Sequence, residues 1–172
     1  MDISQKKVVT FEAAAEKIHR YCAYQERCQS EVRQKLREWQ VEPQKAEQLI
    51  KGLISEGFVN DERFAKVFAR GKFKIKSWGI AKITNELKKR GISDDCIVQA
   101  LKDIDAEAYQ ATLNKLAQQW LSKYKTDPEF VRKQKLFRYL VSKGYQMDEV
   151  WNFIYESTLK TPFHTILKKY DY

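Results

Sequence analysis

The sequence predicts an all-α, elongated protein made of three tandem three-helix repeats. Six glycines and three prolines in 172 residues leave few positions that force the chain out of a helix. Apolar residues return at intervals of three and four along most of the chain, the spacing of one helix face. Three segments, LREWQVEPQKAEQLI (36–50), LKKRGISDDCIVQAL (87–101) and LVSKGYQMDEVWNFI (140–154), align without a gap.

Residues 1–9 read as a frayed polar end. Thr10 is a helix cap, and Phe11, Ala14, Ile18 and Tyr21 mark the inner face of a helix to about residue 24. A second helix starts at Ser30 and carries Val32, Leu36 and Trp39. Pro43 suits the first turn of a third, because proline has no N–H to satisfy there; Ala46, Leu49, Ile50 and Leu53 line its buried face and Gly57 ends it. Asp61 is the expected cap of a fourth helix to residue 75, with Phe64, Val67, Phe68, Gly71 and Ile75 inward. A fifth, over 78–90, buries Ile80, Ile83 and Leu87 and stops at Gly91 after three basic residues.

Ser93 caps the sixth helix, where Asp94 and Asp95 suit the positive end of the helix dipole. Asp105 begins a seventh to about residue 124, with Ala108, Tyr109, Leu113, Leu116 and Trp120 as apolar positions. Asp127 and Pro128 read as a cap and first-turn proline for an eighth, through Val131, Leu136, Phe137 and Leu140 to Gly144. A ninth, over 147–155, turns Val150, Phe153 and Ile154 inward, and Thr161–Pro162 breaks the helical pattern after it.

In the repeat register Leu36, Leu87 and Leu140 superpose, as do Val32, Ile83 and Leu136 four residues earlier. So do Val41, Ile92 and Tyr145, then Ala46, Ile97 and Val150, then Ile50, Leu101 and Ile154. A three-helix unit cannot hide its apolar face alone, whereas stacked units can. The divisions expected are 10–57, 58–104 and 105–158, with a tail over 159–172. Gln40 stands where the other two copies have glycine, so that turn either needs no left-handed residue or carries strain.

The formal charge of +9 permits an anionic partner, nucleic acid or an acidic protein face, without selecting one. Residues 61–90 hold ten Lys or Arg against three acidic residues, whereas residues 10–60 balance eight against eight. Arg63, Lys66, Arg70 and Lys74 follow at three or four and form a stripe; Lys72 and Lys76 add charge, and Lys82, Lys88, Lys89 and Arg90 extend it onto the fifth helix. Arg132, Lys133, Lys135 and Arg138 make a lesser basic site in the third repeat. Such faces meet phosphates but also serve as plain solvated surface, and no base-reading side chain accompanies them. Trp78, at the joint of two helices, reads as a core or cap residue before a stacking platform.

No signal-peptide core opens the chain and no apolar run is long enough to span a membrane. Three scattered cysteines, Cys22, Cys28 and Cys96, fit a reducing compartment. GKFKIKS at 71–77 is not a phosphate loop, and HExxH and GxSxG do not occur. His19, Cys22 and Cys28 are the one conceivable metal cluster, but a fourth ligand and a CxxC pair are missing. Acidic pairs at helix starts are explained by capping. The reading is a protein with no enzymatic activity, cofactor or metal. Two function classes stay open: a regulatory protein docking on a larger assembly, and a stand-alone helical DNA-binding protein.

NDERFA (60–65) followed by WGIAKITNELKKRGI (78–92) resembles the core of the RecX family, bacterial proteins that regulate the RecA recombinase. RCQSEVRQKL (27–36) and KLFRYLVSKGY (135–145) are similar to its patterns in the flanking repeats, so the resemblance covers about residues 11–154. It implies a curved array of three-helix repeats that binds a RecA filament in its helical groove and inhibits ATP hydrolysis and strand exchange. It also implies a cytoplasmic role in recombination, DNA repair and the SOS response. The expected partners are the filament and the single-stranded or duplex DNA within it, met by a monomer with no membrane attachment. The expected contacts, Arg63, Lys66, Arg70, Lys72, Lys74, Lys76, Lys82, Lys89, Arg132, Lys133 and Arg138, rest on charge and spacing.

Overall fold

The computed structural model describes residues 10–158, and among them the fold is all-α. Nine helices are arranged as three tandem three-helix repeats: α1 (Phe11–Tyr24), α2 (Gln29–Glu38), α3 (Pro43–Ser55), α4 (Asp61–Lys76), α5 (Ile80–Lys89), α6 (Asp94–Lys102), α7 (Ala106–Lys123), α8 (Glu129–Lys143) and α9 (Met147–Thr158). The expected frayed start and the tail over 159–172 lie outside the described residues.

The repeat register is a burial register. Leu36, Leu87 and Leu140 are fully buried, as are Val32, Ile83 and Leu136 within 1% exposure. Each leucine also anchors the same turn. The N–H groups of Val41, Ile92 and Tyr145 donate to the carbonyls of Leu36, Leu87 and Leu140 at 3.1, 3.2 and 3.3 Å. The N–H groups of Gln40, Gly91 and Gly144 donate to Arg37, Lys88 and Val141, each at 2.9 Å. Those two bonds define a Schellman stop, which needs a left-handed residue one place past the helix. Gly91 and Gly144 supply it at φ 73° and 95°, and Gln40 adopts φ 58°. The first copy therefore keeps the turn and carries the strain.

The chain divides into two compact units, one of residues up to Gly71 with Thr84–Ile104, the other of Lys72–Ile83 with residues from Asp105 on. Both α4 and α5 contribute to each. In the first unit, Ala14, Ile18, Val32, Leu36, Leu49, Ile50, Leu53 and Val59 form a continuous core. In the second, Phe73 stacks on Tyr109 at 6.0 Å between ring centres, and Tyr109 meets Tyr145 at 5.1 Å.

Several local expectations are corrected. The buried side of α4 is Phe64, Ala65, Ala69 and Phe73, while Val67 and Ile75 are 53% and 78% exposed. Small alanines admit close helix approach, so the packed stripe runs through them rather than through the larger aliphatics. The cap of α4 is Asn60, whose Oδ1 accepts the N–H of Arg63 at 2.9 Å. Pro128 itself occupies the cap position of α8, and Asp127 accepts from Lys135 Nζ at 2.8 Å instead. Trp78 precedes α5 rather than opening it. Ala108 is exposed, and Ala117 takes its expected place in the core.

Candidate interaction surface

At least six of the ten basic residues over 61–90 are engaged by the protein's own carboxylates. Arg63 donates from Nε to Glu26 at 2.7 Å and from Nη2 to the Gly57 carbonyl at 2.8 Å. Lys66 reaches Glu62 at 2.7 Å, and Arg70 lies 3.8 Å from Asp103. Lys88 pairs with Asp94 at 2.8 Å. Arg90 and Lys89 bind Glu86 at 2.9 and 3.0 Å, and Arg90 also lies 3.6 Å from Glu31 and covers the Phe68 ring. Hydrogen bonds from Arg90 and then Lys89 hold the Glu86 carboxyl down at about 2. Arg63, Arg70, Lys88 and Arg90 bridge separate segments, whereas Lys66 and Lys89 pair within their own helices; such surface pairs add little stability but occupy the cations with local partners.

Between these pairs, two lysines meet an aromatic ring. Lys72 and Lys82 place their ammonium groups 5.2 and 4.9 Å from the Trp78 ring centre. Two cations on one half-buried indole are held by its electron-rich faces. Lys74 and Lys76 are exposed on the same last turn of α4 and make no ion pair among the described residues. The joint is braced on α8. Gly79 N–H donates to the Lys143 carbonyl at 2.9 Å, Ala81 N–H to Gly144 at 3.0 Å, and Lys82 Nζ to Ser142 at 3.0 Å. Free N–H groups at the start of α5 thus satisfy free carbonyls at the end of α8.

That approach requires two glycines. A Cβ at Gly79 would overlap the Gly144 backbone, and a Cβ at Gly144 would overlap Lys82. Below the joint, the Tyr109 hydroxyl accepts the Ile80 N–H at 3.3 Å and faces Glu149 at 3.4 Å. Burial pushes the Tyr109 hydroxyl up to about 12 and raises Tyr145 as well.

In the third repeat Lys133 pairs with Glu129, and Arg132 is half-buried with its Nε unpartnered. Arg138 is exposed and unpaired among the described residues. Lys133 lies nine residues before Ser142 on α8, roughly 14 Å along the axis. The structure therefore places Lys72 and Lys82 at Trp78, with Lys74 and Lys76 exposed on the last turn of α4, and leaves Arg132, Lys133 and Arg138 apart. Sequence reasoning named those lysines but did not foresee Trp78 as their support; two lysines flanking KSWG was the available signal.

The residues weighed as a metal cluster have other partners. His19 Nδ1 lies 3.5 Å from Glu56 and its ring meets Phe58 edge-on. Cys22 and Cys28 are buried, and burial lifts the Cys22 thiol to about 11. No three His, Cys, Asp or Glu side chains converge as a metal site among the described residues. No described helix is long and apolar enough to cross a membrane.

Comparison with known proteins agrees with the repeat structure. Models of the first, second and third three-helix domains of RecX match residues 14–53, 60–101 and 107–154. The regulatory protein RecX of Clostridium perfringens strain SM101 is 34% identical over 122 residues, which are 70% of this chain and 57% of that protein. The RecX of Limosilactobacillus reuteri is 27% identical over 83% of this chain and 53% of its own length. This chain thus spans about half the length of these relatives. The crystal structure of RecX from Lactobacillus salivarius superposes with a TM-score of 0.73 at 25% identity, covering 85% of this chain and 95% of that one. With three domain models matched in order, and a solved RecX structure sharing the fold, the chain belongs to the RecX family.

Proposed function

We propose that this chain docks on the RecA nucleoprotein filament in the cytoplasm and restrains its ATP hydrolysis and strand exchange, as a monomer acting in recombination and repair. The observation that carries this is the unbroken order of three RecX domain matches over residues 14–154. The relatives bear the name regulatory protein. Geometry supports a contact face: Lys74 and Lys76 are exposed on the last turn of α4 near the joint where Lys72 and Lys82 meet Trp78, and Arg63, Lys66, Arg70 and Lys89 are paired with carboxylates of the fold. A filament groove offers acidic side chains and DNA phosphates together, and both weaken with salt through screening and counterion release. Shape decides where the charge is delivered.

The test is a filament-binding and ATPase titration at matched salt. Lys74→Glu with Lys76→Glu is expected to lose inhibition while circular dichroism stays helical. Lys66→Glu with Arg70→Glu is expected to lose less. Equal losses would reject the division between carboxylate-paired cations and the exposed lysines at the end of α4. Unchanged inhibition in the first variant would move the surface to Arg132, Lys133 and Arg138. Wild-type protein that binds bare DNA as tightly as the filament and leaves RecA activity untouched would replace this reading with the stand-alone DNA-binding one.

A further inference from the structure

We infer that the groove between the last turn of α4 and one face of α7 is a docking site for an acidic peptide segment carrying an apolar anchor. This rests on the reading that the chain docks on a protein assembly, and it names the chemistry of the segment gripped. The groove has a volume of about 520 Å³, the size of sites that take a few side chains. Phe73, Lys74 and Ile75 line it from α4, and Ala108, Lys115 and Leu116 from α7. The rest of the lining is neutral and polar, with no carboxylate.

Three features point to a partner. Ile75 is 78% exposed and lines the groove together with Leu116 and Ala108, so the groove offers open aliphatic groups beside its polar lining. Lys74 and Lys115 are exposed and make no hydrogen bond or ion pair among the described residues. The wall on α4 is held still, because the adjacent Phe73 ring stacks on Tyr109.

The lining favours a peptide over a nucleic acid. A phosphate backbone would use the two lysines and leave the aliphatic floor unused. The one aromatic ring in the groove is turned into its stack on Tyr109 and is only 8% exposed, so it presents no face for a base. An apolar side chain gains by burial against Ile75 and Leu116, and flanking carboxylates find uncancelled cations at the rim.

The test uses a short fluorescein-labelled peptide of glutamates flanking one leucine and one phenylalanine, read by anisotropy against the whole chain. A matching lysine peptide and an oligothymidylate are the comparison probes. The glutamate peptide is expected to bind and the lysine peptide not. Ile75→Asp, an exposed position that leaves folding intact, is expected to weaken binding at least ~tenfold, and Lys74→Glu with Lys115→Glu similarly. Rescue by Ile75→Leu is expected, since only apolar surface is required. Peptide binding unchanged in Ile75→Asp would overturn the inference. So would oligothymidylate binding tighter than the peptide and being lost in the same variants. Wild-type protein that inhibits the RecA ATPase yet ignores the peptide would sink this inference and leave the filament reading standing.

Discussion

The Asp61 carboxylate caps a helix other than its own: Oδ1 accepts the backbone N–H of Gln29 at 3.0 Å, and Oδ2 accepts the Gln29 side-chain amide at 3.0 Å. Gln29 opens α2, and Cys28 at its cap position supplies no side-chain bond to the first-turn N–H groups. The adjacent Asn60 meanwhile caps α4. Two neighbouring residues thus end two helices and tie the second repeat to the first. Asp61→Ala is expected to lower stability by about 1–3 kcal/mol, the range for losing hydrogen bonds to a charged acceptor. Asn60→Ala is expected to lose about 1 kcal/mol as an ordinary cap. Urea midpoints at constant slope would check both, and equal, negligible effects would show that neither cap matters.

The glycines separate by what surrounds them. Gly144→Ala is expected to destabilise by more than about 2 kcal/mol, because strain at φ 95° adds to a clash 2.6 Å from the Lys82 nitrogen. Gly91 has the same turn role but open space around it, so Gly91→Ala should cost only about 1–2 kcal/mol. Gly71 lies inside α4 with nothing near its missing Cβ, so Gly71→Ala should stabilise by about 0.5–1 kcal/mol. Thermal melts of the three variants would give the order, and a stabilised Gly144→Ala would refute the close approach.

Gln40 provides a converse case. Its φ of 58° is unfavourable for a side chain, and glycine relieves it at the expense of a freer unfolded chain. Gln40→Gly should therefore raise stability by up to about 1 kcal/mol. A destabilised variant would mean that the Gln40 side chain contributes something beyond the turn geometry.

Two groups set opposite pH limbs. Glu86 is held at about 2, below its usual 4.5, by Arg90 and then Lys89. Its folded form binds protons less readily than the unfolded chain, so its contribution is complete above about 4.5 and fades as pH falls toward 2. Tyr109 is raised by burial from 10.0 to about 12, so its contribution is complete below 10 and fades as pH rises toward 12. Glu86→Gln should flatten the acid limb of denaturation, and ultraviolet titration should show a late-ionising tyrosine absent in Tyr109→Phe. Unchanged limbs in both variants would contradict these environments.

Leu87 is fully buried at the centre of the repeat register. Leu87→Ala is expected to lose about 2–5 kcal/mol in chemical denaturation, the range for a cavity in a packed core. A loss below about 1 kcal/mol would mean that the site collapses around the smaller side chain.

The helical character, the three-copy register and the caps at Thr10, Ser93 and Asp105 were legible in the sequence, since each depends on residues within one turn of one another. The family was legible for the same reason: its motifs are local strings in a fixed order. The left-handed Gln40 was decided by packing, because burying Leu36 and packing the half-buried Val41 against the core outweighs the preference of a glutamine for negative φ. The inner face of α4 was also decided there: Phe64, Ala65, Ala69 and Phe73 compete with Val67 and Ile75 on hydrophobicity alone, and only close helix contact favours the alanines. The candidate surface divides in the same way. Ten basic residues in thirty could be counted from the chain, but a carboxylate distant in sequence, such as Glu26 for Arg63 or Asp103 for Arg70, removes free charge that no local pattern reveals. Charge is a property of the residue; whether it is available to a partner depends on what the fold brings within about 4 Å of it.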